Sequence, residues 1–143
     1  MEFKLVIDKN RQEKVIVYAH SETKLVNDIK SLIENYDKEI IAYHGNEIIR
    51  LNMQDVYCFT IESNKLYAVM EKERLLIKQR LYQIEELLDN SFVKINQSSI
   101  ANINKIERFS ASIGGTLLVK FKNGYKDYVS RRQVRVVKER IGI

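Results

Sequence analysis

The chain has 143 residues, 45% of them hydrophobic, with no Pro, no Trp and a single Cys, which suits one compact domain with a small appendage. No run approaches the roughly 18 apolar residues needed to cross a bilayer. The opening MEFKLVIDKNRQEK turns charged too soon for a secretory signal, so a soluble cytoplasmic protein is expected. The net charge is +5. It is unevenly spread: residues 1–45 hold seven Lys or Arg against eight Asp or Glu, whereas from Phe92 onward eleven face three, a balance of +8. A basic half of that kind is suited to a surface that meets phosphate.

Catalytic chemistry is scarce. Cys58 sits in the apolar run VYCFTI and reads as a small core hydrophobe rather than a nucleophile. His20 and His44 lie far apart without paired Cys or a helical His-Glu-x-x-His spacing, so no metal site is expected. The glycines form no phosphate-cradling loop, and Glu85 and Glu86, adjacent on a predicted helix, point in different directions. The expectation is no enzyme: no catalytic residue, no cofactor and no small-molecule substrate.

In chain order, FKLVID and KVIVY read as short strands. SETKLVNDIKSLIENY follows, with Leu25, Ile29, Leu32, Ile33 and Tyr36 at helical spacing and Ser21 placed to cap it. EIIAYHGNEIIRLN reads as a hairpin about His-Gly-Asn. YCFTI and KLYAVM flank the turn Glu62-Ser63-Asn64, and Ile77, Leu81, Ile84 and Leu88 mark a second helix. INKIERFSASI leads to Gly114-Gly115, and TLLVKF and KDYVS flank Lys122-Asn123-Gly124, where Asn-Gly is a strong hairpin signal. RRQVRVVKERIGI closes as a short helix, with Val134, Val137 and Ile141 in step although β-branched.

The puzzle is FVKINQSSIANI, residues 92–103. Its apolar alternation breaks at Asn96, Gln97, Ser98 and Ser99 and recovers at Ile100. A bare turn uses residues that set backbone angles, whereas Gln97 contributes a long amide that both donates and accepts. Such a side chain suits a surface that reads another molecule.

Phe92-Val93-Lys94, Ser98, Asn102, Ile106 and Ser130-Arg131-Arg132, in this order and separation, resemble the LytTR DNA-binding domain over about residues 46–143. The resemblance implies a mostly β fold of packed sheets with one or two short helices, preceded by a small α/β extension at 1–45 with a dimerisation or regulatory role. It implies a stand-alone transcriptional regulator of double-stranded promoter DNA that inserts loop side chains into successive major grooves. On matching positions, Asn64, Asn96, Gln97, Arg131 and Arg132 would read bases, and Lys65, Lys94 and Ser130 would meet phosphate. Asn and Gln pair well with adenine, and Arg with guanine. Asn102 is read as a structural amide tying backbone groups.

Many members of the family carry His and then a cation at Asn96 and Gln97, and an aromatic residue at Ser99, which bears on base preference. Forty-five residues cannot fold a phosphate-accepting receiver domain, so control would come through the extension, a homodimer on repeated sites, or a small membrane protein as partner. Two other classes compete. One is an interaction module recruiting an acidic partner through the basic C-terminal half; the other is RNA binding through Tyr67, Phe121, Tyr125 and Tyr128.

Overall fold

The computed structural model describes residues 1–34 and 39–143. Helix α1 (Lys24–Glu34) comes first, followed by the hairpin β1 (Ile41–His44) and β2 (Glu47–Arg50). Next come β3 (Cys58–Glu62), β4 (Lys65–Val69), β5 (Arg74–Ile77) and helix α2 (Leu81–Leu87). The chain finishes with β6 (Phe92–Asn96), β7 (Ser99–Asn102), β8 (Ile106–Ala111), β9 (Leu117–Phe121), β10 (Lys126–Val129) and helix α3 (Arg131–Ile141). A seven-stranded sheet has the order β2-β1-β5-β4-β3-β7-β6, and a three-stranded sheet the order β10-β9-β8. The pairings are antiparallel.

The central strands carry apolar side chains on both faces because each face has a core of its own. Phe59, Ala68, Phe92 and Ile100 point into one core, where α2 contributes Leu81 and Ile84. Their chain neighbours Cys58, Val69, Val93 and Ala101 point the other way, into a second core with Val119, Phe121 and Val129 of the small sheet and Val137 of α3. Side chains alternate along a strand, so an unbroken apolar run is what a sheet sandwiched between two layers requires.

Three sequence expectations are corrected. FKLVID and KVIVY do not form strands: residues 1–19 carry no regular structure, and Phe3, Leu5, Val6, Ile7, Val15, Ile16 and Tyr18 are exposed. A β-prone run makes a strand only when a neighbour supplies the ladder. The second helix is shorter than its pattern, because Ile77 belongs to β5 and the helix starts only after Arg80. Residues 103–105 form a single 3-10 turn before β8 begins. The helix at Leu25, Ile29, Leu32 and Ile33 is present as α1, while Tyr36 lies outside the described residues.

The hairpin about His44-Gly45-Asn46 is formed, with Gly45 at φ +58°. Its first strand is integral to the large sheet: β1 pairs with β5 through Ala42 and Tyr43, and Ile40 and Ala42 are fully buried. A chain beginning at Glu39 should therefore fold with nearly full stability, since α1 contributes no buried residue. One beginning at Asn46 should lose at least about 3 kcal/mol, as expected for deleting a buried Ile with its strand. Urea unfolding of the two chains checks the difference.

Candidate nucleic-acid interface

FVKINQSSIANI forms a tight hairpin: β6 ends at Asn96, Gln97 and Ser98 make the turn, and β7 begins at Ser99. The register shifts between Lys94 and Asn96, a bulge that leaves Ile95 without a partner on β7. The Ile95 carbonyl turns outward and accepts the Ser130 N–H at 2.9 Å, fixing the start of α3 beside the turn. The Asn96 side chain is 3% exposed. Its amide donates to Asp127 Oδ1 (3.0 Å) and to the Tyr128 carbonyl (2.9 Å), and its Oδ1 accepts the Ser98 N–H (2.8 Å).

Asp127 gathers this region. Its Oδ1 accepts from the Asn96 amide and from the Tyr128 N–H (2.8 Å), and its Oδ2 accepts from Ser99 Oγ (2.7 Å) and the Tyr125 hydroxyl (3.0 Å). Ser99 has one proton, and a carboxylate only accepts, so in the 2.8 Å contact between Thr60 Oγ1 and Ser99 Oγ it is Thr60 that donates. The chain Thr60–Ser99–Asp127 thus ties β3 and β7 of the large sheet to β10 of the small one. Burial pushes the Tyr125 phenol above the ordinary tyrosine pKa, and the nearby Cys58 and Asp127 add to the rise while the neighbouring Thr60 hydroxyl opposes it.

Three segments share this end of the molecule. The β3–β4 turn lies beside the β6–β7 turn, because Thr60 pairs with Ser99 and the Ile61 N–H reaches the Ser98 carbonyl at 2.9 Å. Two inter-strand spacings separate the two hairpins, roughly 10 Å. In the first, Ser63 and Asn64 hold φ of 52° and 62°, the left-handed values a two-residue hairpin turn needs and Asn tolerates. The start of α3 is the third segment. The β8–β9 turn joins it, as a Cβ on Gly115 would lie 3.4 Å from the Arg131 side chain. Nothing in its sequence beyond the paired glycines marks that turn as part of the site.

Of the residues expected to read bases, Asn64, Gln97, Arg131 and Arg132 are exposed at this end, while Lys65 is exposed beside them and Lys94 and Ser130 are half-buried. Asn96 is corrected: both its donors and its acceptor serve the fold, leaving nothing to offer a base edge. Asn102 is buried, donating to the Val56 carbonyl (2.8 Å) and accepting the Asn104 N–H (3.1 Å), as its structural reading required. Arg131 and Arg132 open α3, whose first turn holds no acid. Two cations at the positive end of a helix dipole each cost about 0.3–1 kcal/mol, which an anion reverses.

The other basic residues of this half divide into two groups: Arg108, Lys126 and Lys138 are exposed without an ion pair among the described residues, and others are engaged. Arg140 donates to the Asn90 and Phe92 carbonyls, Arg135 pairs with Glu139, and Lys120 pairs with Glu107. Lys122 donates to the Asn104 carbonyl in the β9–β10 turn, at the end of β10 away from α3. Lys65, Lys94, Arg131 and Arg132 have no ion pair among the described residues, and Glu62 in the neighbouring turn is held by Arg74. No group of three His, Cys, Asp or Glu is placed to hold a metal among the described residues.

An antiparallel two-layer fold that gathers exposed cations and turn amides where α3 begins has the form of a strand-and-loop DNA-binding domain. The family model described as LytTr DNA-binding domain matches residues 46–142, and the chain belongs to that family. An uncharacterized HTH-type transcriptional regulator of Staphylococcus aureus strain NCTC 8325 is 29% identical over the whole chain and 99% of its own length. Another, from the bovine strain RF122, is 28% identical over the same extent. The solved LytTr DNA-binding domain of a Bacillus cereus protein described as a methyl-accepting/DNA response regulator superposes with a TM-score of 0.69. That match covers 73% of this chain and 97% of the other at 23% identity, a likeness of fold. Here α2 and α3 are separated by five strands, β6 to β10, so they do not form a helix-turn-helix unit.

Asp127→Ala would strand three side-chain donors at once and should destabilise the fold by about 2–4 kcal/mol; Asn96→Ala should cost about 1–3 kcal/mol. Urea unfolding checks both, and Asn96→Ala with unchanged stability and weakened specific binding would return Asn96 to the reading surface. Tyr125 yields a pH prediction. Its folded pKa is raised, so its contribution is complete below the unfolded value of about 10 and declines as pH rises above it. Melting temperatures measured across that range should fall less steeply in Tyr125→Phe than in the parent.

Proposed function

We propose that the protein is a transcriptional regulator that binds specific double-stranded promoter DNA through the end where α3 begins. Gln97, Asn64, Arg131 and Arg132 read base edges in successive major grooves, and Lys65, Lys94 and the Ser130 hydroxyl meet phosphate. The observation that supports this reading is the gathering of exposed turn amides and cations at this end. Asn64 and Gln97 are exposed at two neighbouring turns, and Lys65, Arg131 and Arg132 stand exposed beside them without ion pairs among the described residues. Amides and guanidinium groups are the side chains able to make paired bonds to adenine and guanine. Of the four aromatics in the RNA reading, Phe121 is fully buried and Tyr125 is engaged by Asp127, while Tyr67 is half-buried and Tyr128 exposed, which weakens a stacking platform.

Selection of bound fragments from random duplex DNA should recover a recurring motif. On that motif, Gln97→Ala and Arg132→Ala should each lower affinity by about 1–3 kcal/mol while barely changing binding to random duplex. Lys65→Ala should weaken both alike and reduce the slope of log affinity against log salt by about one unit. Lys122→Ala, at the far end of β10, should alter neither. Equal losses on motif and random duplex for Arg132→Ala would remove it from the reading surface.

A further inference from the structure

The small sheet has one face in the second core and one in solvent. Phe109, Val119, Phe121 and Val129 belong to that core, so by the two-residue period of a strand their chain neighbours point outward. The register then sets Arg108 of β8 directly opposite Lys120 of β9, and Lys120 directly opposite Lys126 of β10. Three cations therefore stand in one row across all three strands. Arg108 and Lys126 are exposed without an ion pair among the described residues. Lys120 is half-buried, with one carboxylate oxygen, Glu107 Oε2, at 3.4 Å.

Like charges directly opposite one another destabilise a sheet. Protection of an edge against wrong pairing accounts for charge on β8 or β10, but Lys120 is on the central strand β9. A row of three cations with one acid beside it, fixed on paired strands, suits an anion that spans it. The row is also continuous with the end where α3 begins. Two residues along each strand, on the same face, Ser110, Leu118 and Tyr128 again stand opposite one another. Ser110 and Tyr128 are exposed and end in hydroxyls, which commonly meet phosphate. Strand β10 then runs from Lys126 through Tyr128 directly into Ser130 and Arg131. At about 3.3 Å per residue, Lys126 lies roughly 13 Å from Ser130, the rise of about four base steps of duplex.

We propose that Arg108, Lys120 and Lys126 form a second phosphate-binding surface, which holds the duplex flanking the recognised sequence while the end of the molecule reads it. The proposal rests on the reading of DNA through the end where α3 begins. The ligand is the sugar–phosphate backbone, and the contact carries no base preference, because a cation on a phosphate releases counterions whatever the sequence. An acidic protein segment is the competing occupant. Continuity of the face with Ser130 favours the backbone of the same duplex, which leaves the reading end beside this row.

The full chain and two duplexes test this, one trimmed to the selected motif and one with about ten further base pairs on each side. The parent should bind the longer duplex about tenfold more tightly at low salt, with a slope of log affinity against log salt steeper by about two units. The triple variant Arg108→Gln, Lys120→Gln, Lys126→Gln should lose that gain and match the parent on the trimmed duplex. It should melt no lower than the parent, since like-charge contacts are removed. A control with Lys4→Gln, Lys9→Gln and Lys14→Gln loses the same charge from exposed positions and should keep the gain. The base-reading roles of Gln97 and Arg132 are scored on the trimmed duplex, where the row takes no part, so the two assignments fail separately. A parent without a flank gain overturns the proposal, as does a row variant that keeps the gain, or a control that loses it equally. An oligoglutamate peptide that binds the parent but not the row variant, with the flank gain intact in both, overturns it in favour of an acidic protein partner.

Discussion

Much of this molecule depends on one carboxylate. Asp127 stands in a half of the chain with a surplus of eight positive charges, yet it forms no ion pair among the described residues. Four hydrogen-bond donors, from β6, β7, β10 and the turn before β10, converge on it instead. A carboxylate is suited to that place because it accepts at both oxygens and in several directions. Charge-assisted bonds of this kind are stronger than neutral ones. Through it the two sheets are held together at the end where the turns project, and the polar interruption of β6 becomes an anchor rather than a gap.

The bulge in β6 follows from the same constraint. For Asn96 to turn toward Asp127 and Tyr128 while Ile95 stays in the core, one residue must leave the ladder with β7. The carbonyl released there receives the first N–H ahead of α3. At the other end of the helix, Arg140 holds the Asn90 and Phe92 carbonyls, and Gly142 closes the last turn at φ 85°. The helix is therefore pinned along the whole of β6, and its first turn, with Arg131 and Arg132, is carried on rigid strands rather than on a free loop. A cation pair at a helix start is unfavourable until an anion arrives, which makes its rigid placement part of binding rather than of folding.

The two-faced large sheet explains where the chain can and cannot be divided. Because β1 lies between β2 and β5 and brings Ile40 and Ala42 into the core, the folded unit begins before the stretch matched by the family model. Residues 1–34 are different in kind: rich in exposed apolar side chains, charge-balanced and without a fully buried residue. Hydrophobic content alone does not distinguish a core from an interface. The difference lies in whether the chain itself supplies the covering layer.

The sequence by itself determined the fold class, the hairpins β1–β2, β3–β4 and β9–β10, and the closing helix. These rest on local signals: Asn-Gly and Gly turns, alternation, helical spacing, and the motif residues between Phe92 and Arg132. It also located Asn102 as a structural amide, since an isolated Asn among Ile and Ala has few other uses. The fate of Asn96 was decided only in three dimensions, because its partners Asp127 and Tyr128 lie 31 and 32 residues away, and an amide looks the same in sequence whether it faces a base or a buried carboxylate. The same holds for the cations. Arg132 and Arg140 are eight residues apart on one helix, but only packing shows that one meets carbonyls and the other solvent. The opening runs were legible as β-prone and not as strands, since a strand exists only where another backbone offers its hydrogen bonds, and the rest of this chain does not offer them.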